Sequence, residues 1–461
     1  MDNKKSEAYH KMMTESSVKK LIIKYCIPTI LTMLVTNVYN IVDTAFVGKL
    51  GNSASGAVGI VFGFMSIIQA IGFLFGQGSG SILSRKLGRR DVESASKTAS
   101  TGFFLSFTLG LIVSVICMLY LDPLVYFLGS TETIAPYAHK YIFYILLTAP
   151  FIVASFTLNN ILRYEGKAVF GMIGMFSGAV LNIGGDALFM FKLNMGISGA
   201  GLSTAIAQVI SFVILLIPFL RGQTQCKISI KRVDLSIKHL FNIVATGFPS
   251  LLRQSLNSIA TILLNSLSGV YGDEAVAAMS IVSRVFFFIF AIALGVGQGF
   301  QPVSGYNYGA GKYKRVKDAY RFTVIFSTLL VSGIAVAAYI KADSLIYLFR
   351  EDATVVSYGT RALRLHLISG IVMPFCMSTE MLLQSTGKKL AASLVSALRS
   401  GIVFIPCLEI LAHLRGMSGI QEAQPLAFVI SAIPTFIFAH HYIKQMSANK
   451  EVLSDTAETG H

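Results

Sequence analysis

The stretch GFFLSFTLGLIVSVICMLY, residues 102–120, runs for 19 positions without a charged side chain. A helix rises 1.5 Å per residue, so about 20 such residues cross the ~30 Å hydrocarbon layer of a bilayer. The stretch is near-continuously apolar rather than alternating, which favours a helix over a barrel strand, and open strands find no hydrogen-bond partners in lipid. Scanning outward for runs of the same kind gives twelve spans: 25–48, 55–82, 98–120, 135–161, 169–191, 198–220, 241–268, 276–303, 319–340, 357–384, 390–412 and 420–443.

Composition agrees. Of 461 residues, 54% are hydrophobic and only 13% charged, with a mean hydropathy of +0.66. A soluble domain carries roughly 25% charged residues to cover its surface. A soluble enzyme and a disordered chain are both excluded. The formal net charge of +15 invites nucleic acid as a partner. Sorting the 38 basic residues by loop removes that reading: 26 fall on the side shared with the N-terminus, 5 on the opposite side, and the remaining 7 in or at the ends of spans. That asymmetry is the positive-inside pattern and places both termini in the cytoplasm, the chain being a multi-pass protein of the cytoplasmic (inner) membrane. The N-terminus lacks the short apolar core and small-residue site of a cleaved signal. Residues 16–27 (SSVKKLIIKYCI) read as a short interfacial helix. The five cysteines are scattered and form no CxxC pair.

The two halves of the chain repeat each other. Pro28 and Pro249, Gly51 and Gly272, Gly76 and Gly297, Gly88 and Gly309, and Gly166 and Gly387 all differ by 221 positions. From 51 to 96 this register yields 12 identities in 46 positions, where composition alone gives about four. One residue is then lost, so that Gly196 and Ser198 match Gly416 and Ser418 at an offset of 220. Six spans per unit is an even number, so both units keep one orientation. The expected fold is an all-α integral membrane protein of twelve transmembrane helices in two pseudo-symmetric six-helix bundles, an architecture of secondary transporters. The expected divisions are a cytoplasmic segment 1–24, an N-lobe 25–220, a linker 221–240, a C-lobe 241–444 and a tail 445–461. No P-loop is present, so energy has to come from an ion gradient. The clusters GQGSG (76–80) and GVGQG (295–299) lie inside apolar spans and read as close helix packing.

Ionisable groups inside spans are costly, which makes them functional candidates. Asp43, Asp186, Glu380 and Glu409 are the acids. Across the repeat Asp43 lies opposite Leu264, Asp186 opposite Cys407 and Asn182 opposite Val403. The scaffold therefore does not demand carboxylates there, and the N-terminal half has specialised. Asn40 and Asp43 are spaced i, i+3, and Asn182 and Asp186 i, i+4, so each pair shares a helix face. Asp43, Asp186, Asn182 and Thr204 are the candidate cation-binding and coupling set, with Tyr39, Asn40, Asn159 and Glu380 as candidate cavity residues. Two carboxylates with amide and hydroxyl oxygens suit either a hard monovalent cation or a proton. A structural role, as acceptors holding helices together, is the competing explanation. Arg253, Arg284 and Arg399 are candidates for buried pairing with Glu380 or Glu409. No metal or organic cofactor is expected beyond sodium or protons as coupling ion. No protein partner is required either, since one chain supplies both lobes and a monomer suffices.

The stretches NVYNIVDTAFVGKLG (37–51), RKLGRRD (85–91) and above all GQGFQPVSGYNYGAGKYKRV (297–316) resemble the multidrug and toxic compound extrusion (MATE) transporters, over about residues 20–444. The resemblance implies a non-enzymatic antiporter of two six-helix lobes that exports cationic, lipophilic small molecules in exchange for sodium or protons. It implies that Asp43, Asn182, Asp186 and Thr204 form the N-lobe cation pocket, that Tyr39 and Asn159 line that lobe, and that the first helix bends about Pro28. Some members carry an acid in span 7, where this chain has Arg253, so a C-lobe cation site would rest on Glu380. A flippase of lipid-linked substrates or polysaccharides on a related fold, a channel and an intramembrane aspartyl protease are the alternatives. The last lacks its GxGD motif, since residues 183–186 read IGGD.

Overall fold

The computed structural model describes residues 3–458; the first two residues of the expected N-terminal segment and the last three of the expected tail lie outside the described residues. The described residues are helical nearly throughout and contain no strand. They divide into two compact units: residues 1–9 with 31–254, and residues 10–30 with 255–461. This differs from the expected division at the first helix of each half. Residues 10–30 belong to the second unit and residues 241–254 to the first. Apolar periodicity marks a span but not the bundle it packs in, so the exchange is invisible to hydropathy.

The first unit contains most of α2 (Val18–Gly48), then α3 (Asn52–Gly88), α4 (Val92–Leu119), the short α5 (Leu121–Phe127), α6 (Ala135–Tyr164), α7 (Ala168–Asp186) and α8 (Gly196–Leu220); α1 (Asn3–Glu15) precedes them. Of residues 16–27, expected as a short interfacial helix leading into the first span, those from Val18 onward are continuous with that span as the first turns of α2. The most buried helix is α6, which packs on α3, α4, α7 and α8. Gly72, Gly76 and Gly80 make a ridge on α3 at i, i+4 spacing that meets Phe156, Asn160 and Tyr164 of α6 at the same spacing. A Cβ on Gly76 would lie 2.8 Å from Asn160 Cβ, so only glycine permits this approach.

From α8 the chain leads through residues 221–236, which contain one 3₁₀ turn (Ile230–Arg232), into α9 (Ile237–Gly269). This linker is bound rather than free. Its backbone N–H groups at Lys227, Ser229 and Asp234 donate to the hydroxyls of Ser96, Ser100 and Thr101, in the first turns of α4, at 2.9–3.1 Å. Those of Gln225 and Cys226 donate to the two oxygens of the buried Glu165 at 3.0 and 3.1 Å. Glu165 caps the end of α6. Buried backbone donors need such partners, which accounts for a carboxylate in an otherwise apolar setting.

The second unit contains the rest of α9, then α10 (Asp273–Gly309), α11 (Tyr313–Ile340), the short α12 (Ala342–Phe349), α13 (Ala353–Gly370), α14 (Met373–Ser385), α15 (Lys389–Ala397), α16 (Phe404–Arg415) and α17 (Met417–Glu458). The counterpart of α6 is broken here. Helix α13 ends at Gly370 and α14 restarts with Pro374 in its first turn, at an angle of 49°. Proline cannot continue a helix but starts one readily. Counting α13 with α14, and α15 with α16, restores the expected spans. Among the described residues ten helices, and the bent pair α13–α14 as an eleventh, are long and apolar enough to cross a membrane; α9, 33 residues long with more polar groups, stands at the place of the twelfth expected span.

The geometry obeys the repeat register. Gly297 meets Met381 as Gly76 meets Asn160, and Gly299 meets Cys26 as Gly78 meets Gly247; both pairs are related by 221. The GQG clusters are thus sites of close helix approach, as their spacing implied. Left-handed residues coincide too: Arg90 at φ 62° matches Gly311 at φ 71°.

Candidate functional site

Asp43 and Asp186 both lie in the first unit and both are buried, Asp186 completely. Asp43 sits near the end of α2, on the face that carries Tyr39 and Asn40 one turn earlier. Asp186 closes α7, after which the chain turns as a π-helix over Ala187–Lys192. Such π turns recur at functional sites because they reset the direction of the following side chains. Just before it, Gly185 lets α7 approach α8, since a Cβ there would lie 2.4 Å from Ser203 Oγ. The close approach is fastened by two hydrogen bonds. Ser203 Oγ donates to the Asn182 carbonyl at 2.9 Å, and Asn182 Nδ2 donates to Thr204 Oγ1 at 3.0 Å.

The two carboxyl groups are within direct electrostatic reach of each other. Their hydrogen bonding is incomplete. Asp43 Oδ2 accepts from the Tyr141 hydroxyl at 3.2 Å, whereas Asp43 Oδ1, both oxygens of Asp186 and Asn182 Oδ1 have no partner. A bare buried carboxylate is strongly unfavourable, so these four acceptors call for a cation or a proton. Tyr39, Asn40, Asp43, Tyr141 and Thr204 border a cavity of about 10 Å³. That holds about one water-sized particle. A second cavity of the same size lies beside Asn182, and Tyr39 and Thr204 border both. Among the described residues no group of three or more His, Cys, Asp or Glu side chains is placed to hold a tightly bound metal ion.

Of the residues singled out from the sequence, Asp43, Asp186, Asn182, Thr204, Tyr39 and Asn40 therefore come together. Asn159 does not join them. It shares the α6 face of Tyr141, but 18 residues at 1.5 Å put it ~27 Å further along the helix, where it packs on Gly171. Tyr141 was missed. Its distance of five full turns from Asn159 could have flagged the face, but only the contact with Asp43 identifies the residue.

In the second unit Glu380 is buried and pairs with the equally buried Arg399 at 3.8 Å. Arg253 belongs to the first unit, in electrostatic reach of Arg163 and Tyr164, and is thus placed in a different unit from Glu380 and Glu409. Arg284 and Glu409, expected to be buried, are exposed and take part in no ion pair among the described residues. Arg284 stands two residues from both Val282 and Phe286, the buried face of α10, and so points away from it. Glu409 follows the buried Leu408 off the packed face of α16 in the same way. Pro28 is buried within α2, two residues before the point at which the helix passes from the second unit to the first.

Two repeated helical units, each with the spans to cross a membrane, and an ion-sized acidic pocket in one of them define the class: a multi-pass membrane transporter. The MatE family profile matches residues 28–188 and 249–408, one match in each half. The chain belongs to that family, whose members are transporters and not enzymes. It is 27% identical over 440 residues, 95% of this chain and 97% of the other, to the multidrug export protein MepA of Staphylococcus saprophyticus. MepA of Staphylococcus aureus is 26% identical over 427 residues, 92% and 94% of the two chains. Among solved structures, a multidrug resistance MATE family transporter of the MOP superfamily in its outward-facing conformation superposes with a TM-score of 0.90 at 26% identity, covering 95% of this chain and 98% of that one.

Proposed function

We propose that the protein exports drug-like small molecules across the cytoplasmic membrane as an antiporter, exchanging them for sodium or protons, with both termini in the cytoplasm. The observation that carries the reading is the cluster of Asp43, Asp186 and Asn182, with four unpartnered buried acceptors, beside small cavities that Asp43 and Asn182 border. The repeat supports it. The other half folds the same way with Leu264 and Cys407 at these places, so packing does not require the acids. The export of multiple drugs by the MepA relatives supports the substrate class.

A cation bound between the carboxylates stabilises whichever state closes the pocket around it, and substrate favours the state that releases the cation. Each ligand can drive the change only by its differential affinity for the two states. Alternating access follows from that reciprocity. In proteoliposomes loaded with ethidium, an imposed sodium gradient or an imposed pH gradient is expected to drive dye uphill, and whichever one works identifies the coupling ion. Asp43→Asn is expected to reduce that gradient-driven flux to the level of empty vesicles while the protein still inserts. Wild-type flux in Asp43→Asn, or no uphill flux under either gradient, contradicts the proposal; the second result favours a flippase or a channel.

A further inference from the structure

The second unit contains a cavity of about 140 Å³. Its position in the repeat is informative. Ala260, Thr261, Leu264 and Phe286 border it, and at an offset of 221 these are the counterparts of Tyr39, Asn40, Asp43 and Met65, which border the acidic cavity. Gln424 and Phe428, at an offset of 220, answer Thr204 and Gln208. The cavity of the second unit therefore occupies the place that the two small cavities hold in the first.

Of the substitutions that separate them, three bear on space and charge. Ala260 in place of Tyr39 removes a phenol ring that borders both first-unit cavities, and the space is about 140 Å³ here against about 10 Å³ in each of those. Leu264 in place of Asp43 removes the acid. Arg399 in place of Gly178 introduces a guanidinium, on the π-helical turn Leu398–Ile402 between α15 and α16. Its acidic partner Glu380 is not among the residues that border the cavity, and neither is any other acid. The charge presented to the lumen has changed sign.

The walls are aromatic. Phe286, Phe287, Phe290 and Phe428 border the space; Phe287 and Phe290 stack with centroids 5.6 Å apart, and Arg399 Cζ lies 5.6 Å over the Phe290 ring. Asn257, Ser283 and Gln424 add neutral polar groups. A guanidinium offers five N–H donors in a planar fork matched to a carboxylate, and a ring held among phenylalanines gains by stacking.

We propose that this cavity is a second ligand site, specific for planar aromatic molecules carrying a carboxylate, with Arg399 as the residue that selects the charge. The site stands on the geometry of the second unit alone and does not depend on ion coupling at Asp43.

The sequence contains no tryptophan, so Phe287→Trp places a single fluorescent reporter in the cavity wall. Full-length protein carrying it, in lipid nanodiscs with empty nanodiscs as the blank, is titrated with anthracene-9-carboxylate and with 9-(aminomethyl)anthracene, both of which quench tryptophan by energy transfer. Saturable quenching at least tenfold tighter for the carboxylate is expected. The double variant Arg399→Gln with Glu380→Gln, which removes both charges together, is expected to lose that tenfold preference. Leu264→Asp leaves the ion pair intact and returns the acid of the other half, and is expected to erase or invert the preference. Equal affinities, a preference for the amine, or an unchanged preference in a folded Leu264→Asp protein overturns the proposal. The readout is binding at equilibrium with no gradient, so failure of antiport leaves it standing.

Discussion

Tyr141 gives Asp43 its hydrogen bond, at 3.2 Å, from a helix that hydropathy alone marks only as a span. Hydrogen bonds to a charged group contribute about 1.5–3 kcal/mol. Tyr141→Phe keeps the ring and its packing while leaving the fourth carboxylate oxygen of the pair without a partner. Gradient-driven export is expected to fall about tenfold, the equivalent of ~1.4 kcal/mol, with little change in thermal stability; export at the wild-type rate would show that the bond does not serve the cation pocket. Residues of the pocket were legible to different degrees for physical reasons. Asp43 and Asp186 announce themselves because an acid in a span is costly and because the repeat lacks them. Tyr141 does not, because a tyrosine in a membrane helix is ordinary until its neighbour is known. Asn159 misled because a shared face says nothing of depth. Charge inside an apolar run reads as burial, but Arg284 and Glu409 each stand on the outer side of their helix.

At the scale of elements, the linker between the halves is better ordered than its polar composition implied. Glu165 and three hydroxyls on α4 take up its backbone donors. No sequence rule reports this, since Ser96, Ser100 and Thr101 at helical spacing read equally well as a solvated face. Burial pushes the Glu165 carboxyl up to about 7, against the opposing pull of the N–H groups of Gln225 and Cys226. An acid whose folded value lies above its unfolded value, near 4.5, holds its proton more tightly in the folded protein. Its effect on stability is then unfavourable to folding as pH rises through that window, because the folded state binds more protons than the unfolded one. Between pH 5 and 7.5 the folding stability is expected to decline by roughly 2 kcal/mol, read as a falling thermal midpoint in detergent, and Glu165→Gln to flatten that decline. An identical pH dependence in wild type and Glu165→Gln would assign the effect to other groups.

For the molecule as a whole, a chain that is 54% hydrophobic and carries +15 is coherent only if its charge is sorted by side. The twelve spans, the repeat and the glycine contacts were readable because lipid makes apolar length and small-residue spacing nearly obligatory. The exchange of first-helix halves between units was not, because it depends on tertiary contacts that leave the hydropathy of α2 and α9 unchanged. The proposed orientation rests on the 26 to 5 division of basic residues, since positive loops are retained in the cytoplasm. It can be tested without knowing the substrate. On a background with all five cysteines replaced, Glu132→Cys lies in the loop before α6, on the sparsely charged side, and Lys231→Cys in the basic linker. Both positions are exposed and outside every span. In intact cells a membrane-impermeant maleimide is expected to label Glu132→Cys and to reach Lys231→Cys only after permeabilisation. The reverse pattern would invert the topology, and with it the direction of the export proposed to be coupled to a cation at Asp43 and Asp186.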